Sequence, residues 1–153
     1  MSGCVMNIWL NQFLSDFHQA YLKKLGFKKV RHTFSRDRGG YWERFNFQGS
    51  AWNGAGDEHW TFYLNVGVEF KDLEPQRNWS YFPHTHWADR VKTVVSSAPS
   101  AWDYNLHTDR EKFMRELSSY VLKASEKMAA EIVGLRKHYL EGQNMKHYPF
   151  AEI

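Results

Sequence analysis

Between Gly26 and Phe70 the chain carries three runs of alternating apolar and polar residues joined by glycine-rich connections. A period of two over this length is the signature of strands with one face buried and the other open. In the first run, Lys28 to Arg36, Val30, His32 and Phe34 fall on one side, with Lys29, Arg31, Thr33 and Ser35 on the other. The second, Tyr41 to Ser50, sorts Tyr41, Glu43, Phe45 and Phe47 from Trp42, Arg44, Asn46, Gln48 and Ser50. The third, His59 to Phe70, sets Trp60, Phe62, Leu64, Val66, Val68 and Phe70 against Thr61, Tyr63, Asn65 and Glu69. Asp37-Arg38-Gly39-Gly40 reads as a tight turn, because glycine takes positive φ at little cost. Asn53-Gly54 and Gly56 make Ala51 to Glu58 a loop.

Helical patterns flank this sheet. Leu10, Phe13, Leu14, Phe17, Tyr21 and Leu25 recur at spacings of three and four, one stripe of an amphipathic helix from Ile8 to Leu25. Gly26 then stands where a left-handed cap is needed. Leu73 to Pro83 has no periodicity. Thr85 is placed to cap a short helix through about Val95, with Trp87, Val91 and Val95 inward. Ala101 to Leu106 reads as a short strand with Trp102, Tyr104 and Leu106 on the core side. Thr108-Asp109-Arg110-Glu111 matches a capping box. The stripe Phe113, Leu117, Tyr120, Val121, Ala124, Met128, Ile132, Leu135 and Tyr139 follows it. Unbroken, that helix would be about 50 Å long, against a diameter of roughly 40 Å for a compact domain of this size. Either the helix breaks near Gly134 or it projects outward as a dimerisation arm, and the break is the expectation. The pattern predicts one α+β domain over residues 1–153: an N-terminal helix, an antiparallel sheet of about four strands with helices on one face, and a long C-terminal helical segment.

Composition narrows the function classes. With 42% hydrophobic and 24% charged residues the chain reads as an ordinary globular protein. Its 17% aromatic content, including seven tryptophans, is high: many of these rings should fill the core, with some left at the surface as recognition anchors. Cys4 is the only cysteine, which excludes an intramolecular disulfide and a cysteine-based zinc site. The start of the chain lacks a basic stretch before its apolar residues, and Asn7, Asn11 and Gln12 interrupt the run, so neither a signal peptide nor a membrane span is expected. A reducing, cytoplasmic setting follows. The net charge of +3 is uneven: eight basic residues lie between Lys23 and Arg44 against only Asp37 and Glu43.

The residues also resemble an uncharacterised bacterial family, domain of unknown function 4304. The resemblance rests on Gly26-Phe27-Lys28-Lys29, Thr33-Phe34-Ser35-Arg36, Asn46-Phe47-Gln48-Gly49-Ser50, Asn65-Val66-Gly67-Val68, His86-Trp87-Ala88-Asp89-Arg90 and Trp102. It covers roughly residues 10 to 106. The family implies an α+β fold and a bacterial cytoplasmic setting, and no activity.

Four groups of residues carry chemistry. Arg44, Asn46, Gln48 and Ser50 share the non-core sheet face with Tyr63, Asn65 and Glu69. They form either a hydrogen-bonding platform for a polar ligand or an internal network in which Arg44 pairs with Glu69. His84 and His86, with Asp89 and the more distant His107 and Asp109, are of metal-ligating type but lack any metalloenzyme spacing. His32 reads as a core histidine. Ser50, Ser96 and Ser97 lie in no nucleophile elbow, and Glu43 and Glu69 project to opposite faces. Lys28, Lys29, Arg31, Arg36 and Arg38, with Trp42 or Trp52, suit single-stranded nucleic acid, or else a charged edge strand that blocks aggregation.

The expected function is a non-catalytic module that binds a protein partner through Arg44, Asn46, Gln48, Ser50, Trp52, Tyr63, Asn65 and Glu69, in the manner of an immunity or antitoxin protein. No cofactor or bound metal is expected, and the chain is read as a monomer or homodimer. The alternatives are nucleic-acid binding through the Lys28–Arg38 region and a metal-dependent hydrolase using His84, His86 and Asp89.

Overall fold

A computed structural model describes residues 2–50, 59–74, 82, 85–105, 107–145 and 148–150, with the backbone alone for 2–9 and 59. The first helix, α1 (Ser2–Phe17), runs on as a π-helical turn (His18–Leu22) and a 3₁₀ turn (Lys23–Leu25). The wider π turn shifts the inward stripe by one position. Leu22 is therefore fully buried, where the regular spacing had placed Tyr21. Gly26 closes the unit in the left-handed region (φ 95), its N–H donating to the Lys23 carbonyl.

Six strands follow: β1 (Lys28–Val30), β2 (Thr33–Asp37), β3 (Tyr41–Gly49), β4 (His59–Phe70), β5 (Trp87–Arg90) and β6 (Trp102–Asn105). All pairings are antiparallel, in the order β1-β2-β3-β4-β5, and β6 also pairs with β4. Strand β4 is long enough to take β6 along His59–Phe62 and β5 along Asn65–Val68 of one edge, with β3 on the other.

Three departures from the sequence pattern are informative. The run from Lys28 to Arg36 is not one strand. It folds back at Arg31-His32, so that Lys28 pairs with Ser35 and Val30 with Thr33. Arg31 takes φ 55 to make that turn, and Val30 ends up 71% exposed rather than inward. The segment from Thr85 to Val95 splits into the four-residue strand β5 and a single helical turn, α2 (Val91–Val94). The C-terminal helix α3 (Arg110–Leu140) runs unbroken for 31 residues, about 46 Å. It is capped by Asp109, whose side chain accepts from the Lys112 N–H, while the Thr108 hydroxyl accepts from the Asn105 N–H.

Gly134 does not break α3; it makes room. Tyr148 folds back onto the helix with its hydroxyl 2.6 Å from where a Gly134 Cβ would lie, and that hydroxyl donates to Glu131 at 2.6 Å. Phe150 then stacks edge-on against Trp87.

The core lies between the helices and one sheet face. Phe13 and Phe17 of α1 meet Phe34, Phe47 and Phe113, and Phe113 of α3 meets Phe62, Trp102 and Tyr104. Inside this apolar layer, Glu43 is completely buried. It accepts from Arg36 Nη2 at 3.0 Å and from the Ser125 hydroxyl at 2.7 Å, and Arg36 also donates to Ser125 and to the Leu25 carbonyl. The ion pair joins the sheet to α3 and to the end of the first helical unit.

Candidate polar-face site

The site occupies the sheet face that the helices leave uncovered. Antiparallel register sets Thr33 opposite Asn46, Asn46 opposite Asn65, and Asn65 opposite Arg90, one straight row across four strands. Side chains in such a row stand about 5 Å apart, within reach of hydrogen bonds between short amides. Asn46 Nδ2 donates to the Thr33 hydroxyl at 3.0 Å, and Asn65 Nδ2 donates to Asn46 Oδ1 at 3.4 Å and to Gln48 Oε1 at 3.1 Å. Arg90 closes the row. Its Nη1 donates to Asn65 Oδ1 and Gln48 Oε1, both at 2.5 Å, and its guanidinium lies 4.2 Å from the centre of the Tyr63 ring. Asn46 and Asn65 are only 8% and 4% exposed, so these amides are held in a network rather than presented freely to water.

The neighbouring row is Ser35, Arg44, Gly67 and Ala88. Its two small members leave a depression that Phe82 fills: a Cβ on Gly67 would lie 3.1–3.3 Å from the Phe82 ring. Arg44 Nη1 stands 2.7 Å from Glu69 Oε1 as a charge contact without hydrogen-bonding alignment, and the guanidinium sits 5.7 Å from the Trp42 ring centre.

Beside these rows opens a groove of about 1040 Å³. Its lining includes Thr33, Ser35, Arg44 and Asn46 from the sheet face, Phe82 at one wall, and Lys29, Val30, Arg31 and His32 from the β1–β2 hairpin. His32 is half-buried at this rim with Nε2 2.8 Å from Asn11 Oδ1, not in the core, and partial burial beside Lys29 holds its pKa below the ordinary histidine value.

Of the expected surface, Arg44 and Asn46 line the groove; Gln48, Tyr63 and Asn65 belong to the Arg90 network beside it; Glu69 holds Arg44. Ser50 follows β3, its N–H donating to the Thr61 carbonyl, and Trp52 lies outside the described residues. Within the basic region, Arg36 is turned inward onto Glu43, while Lys28, Arg31 and Arg38 are exposed.

The histidine set does not converge. His84 lies outside the described residues, and His86 is buried with Nδ1 accepting from the Phe70 N–H, which leaves the proton on Nε2. Burial pushes the His86 pKa down. Asp89 accepts from the Arg90 N–H, and Asp109 caps α3. Among the described residues no three His, Cys, Asp or Glu side chains are placed to hold a metal ion, and no helix is long and apolar enough to cross a membrane.

Arg90, Thr33 and Phe82 are the participants that residue patterning alone passed over. Arg90 had its signal in His86-Trp87-Ala88-Asp89-Arg90. Read as a helix, that segment gave Arg90 no place on the sheet; as β5 it puts Arg90 at the end of the amide row.

A model of the family described as Domain of unknown function (DUF4304) matches residues 18–131. The chain belongs to that family. No curated protein and no solved structure matches it. The matched span contains both rows of the polar face, the groove's hairpin wall and the buried Arg36–Glu43–Ser125 cluster.

Proposed function

We propose that this member of the domain of unknown function 4304 family is a non-catalytic binding module that takes an acidic segment of a protein partner into its polar-face groove. One observation carries the reading: among the described residues the groove is lined by Lys29, Arg31 and Arg44 and by no carboxylate. Thr33, Ser35 and Asn46 add hydroxyl and amide groups, and Phe82 adds an apolar wall. An acidic, extended segment matches this in charge and in hydrogen bonding. The amide row beneath keeps the floor in one conformation, which lowers the ordering cost of binding. Arg44 is held by Glu69 without an aligned bond, so a partner carboxylate can take Glu69's place. Trp52, two residues beyond Ser50 in the chain, belongs to this proposal by its place in the sequence alone. A cytoplasmic, bacterial setting and an immunity- or antitoxin-type role, with the module occupying its partner, suit the small size and the sequence motifs.

The test uses a partner purified with the protein from its native host and then prepared separately. Lys29→Glu with Arg31→Glu reverses two rim charges and should weaken that partner by at least about tenfold while leaving the melting temperature unchanged. Unchanged affinity would overturn the assignment. So would tight binding of single-stranded oligonucleotides with a steep inverse dependence on salt, the mark of phosphate contacts.

A further inference from the structure

A second concavity, of about 460 Å³, lies where the β2–β3 turn meets the C-terminal half of α3. It is separate from the polar-face groove and shares no lining residue with it. Three apolar side chains, Phe70, Ile132 and Val133, line it, and Val133 is 78% exposed to solvent there. Three cations also line it, but they differ in how they are engaged. Arg136 is clamped on both oxygens of Asp72 at 2.7 and 2.8 Å, and Lys71 lies 2.5 Å from Asp37. Arg38 has no carboxylate partner among the described residues.

Tyr41 supplies the second observation. The residue is 7% exposed, and its buried hydroxyl finds no acceptor for its proton among the described residues. Arg38 is its hydrogen-bonding neighbour, and a guanidinium only donates, so the phenolic oxygen is engaged while the proton is left without an acceptor among the described residues. Burial raises the Tyr41 pKa, which keeps that proton in place at neutral pH. A buried donor with no acceptor is a cost to the fold and the kind of group that a ligand satisfies.

We propose that this concavity is a binding site for a small amphipathic carboxylate, whose head accepts from the Tyr41 hydroxyl and pairs with Arg38 while a short apolar tail lies against Phe70, Ile132 and Val133. A carboxylate fits better than a phosphate because one cation and one hydroxyl are on offer, beside an apolar wall. The volume lies within the range of small-molecule sites. The proposal does not depend on the polar-face reading.

The probe is 3-phenylpropionate, titrated into the full chain and followed by calorimetry and by amide shifts, with 3-phenylpropanol as its uncharged counterpart. Saturable binding is expected, with shifts centred on Gly40, Tyr41 and Val133 and the alcohol at least about tenfold weaker. Arg38→Gln should weaken the acid by a similar factor. Tyr41→Phe should weaken it by about threefold or more and cost little thermal stability, since the deleted proton has no acceptor. Failure to saturate at millimolar probe, equal binding of the alcohol, or wild-type affinity in Tyr41→Phe would each overturn the assignment. So would shifts confined to the polar-face groove.

Discussion

Removing Arg90 tests whether the polar face is one connected unit. Arg90→Ala deletes two charge-assisted hydrogen bonds, to Asn65 Oδ1 and Gln48 Oε1, and a guanidinium–ring contact with Tyr63. Bonds of this kind contribute about 1.5–3 kcal/mol each, and a partly exposed cation–ring contact about 0.5–1 kcal/mol. Arg90 is only half-buried, so water replaces part of what is lost. The net cost should be about 2–3 kcal/mol, or a fall of roughly 5–10 °C in melting temperature for a chain of this length. Urea unfolding followed by circular dichroism measures it. The sharper reading comes from a double-mutant cycle with Gln48→Ala: the two changes remove the same bond, so they should be non-additive by about 1 kcal/mol or more. Additivity to within about 0.3 kcal/mol, or a loss below about 0.5 kcal/mol for Arg90→Ala alone, would refute the row as a cooperative element.

Other consequences follow from the same contacts. Glu43→Ala leaves the Arg36 guanidinium buried without its carboxylate and should cost about 3–5 kcal/mol, measured by urea unfolding; a loss under about 1 kcal/mol would mean the pair is solvated. Gly134→Ala should destabilise the wild type, because the new methyl meets the Tyr148 hydroxyl. In a Tyr148→Phe background the same change should stabilise by up to about 1 kcal/mol, the ordinary helix preference of alanine over glycine, and the same sign in both backgrounds would contradict the packing. Buried His86 has a folded pKa below its unfolded value of 6.5, so the unfolded chain takes up protons first. Stability should accordingly be intact above pH 7 and fall as pH drops through 6.5, ahead of any loss from Asp16, Asp37 and Asp72, whose pKa values lie below 3.8. Unfolding midpoints measured between pH 7.5 and 5 should show this slope, and His86→Gln should reduce it, leaving the part contributed by His32, whose pKa is lowered in the same direction.

The parts of the fold legible in sequence were those set by local periodicity. The alternation in β3 and β4 placed Phe45, Phe47, Phe62 and Leu64 inward and Asn46, Gln48 and Asn65 on the far face, because parity within a strand needs no knowledge of its neighbours. The β1–β2 reversal was hidden, since a two-residue turn at Arg31-His32 carries neither glycine nor proline and leaves parity looking continuous. Strand β5 was hidden for a related reason. Trp87 and Val91 are four apart and satisfy a helical stripe, and only pairing with β4 decides between helix and strand. Both losses bear on the candidate site: the first concealed the groove's wall, the second the arginine at the end of the amide row. The internal state of the amide row was equally beyond sequence, because hydrogen bonds among Asn46, Gln48, Asn65 and Arg90 depend on cross-strand register.

Photocross-linking from Ser35, at the floor of the groove, against the same photoreactive residue placed at Leu122 on the exposed side of α3, tests the binding role most directly. With the purified partner, covalent adducts should form from Ser35 and map to an acidic stretch of the partner, with none from Leu122. Adducts from Leu122 alone, or a Ser35 adduct on a basic or apolar stretch, would contradict it.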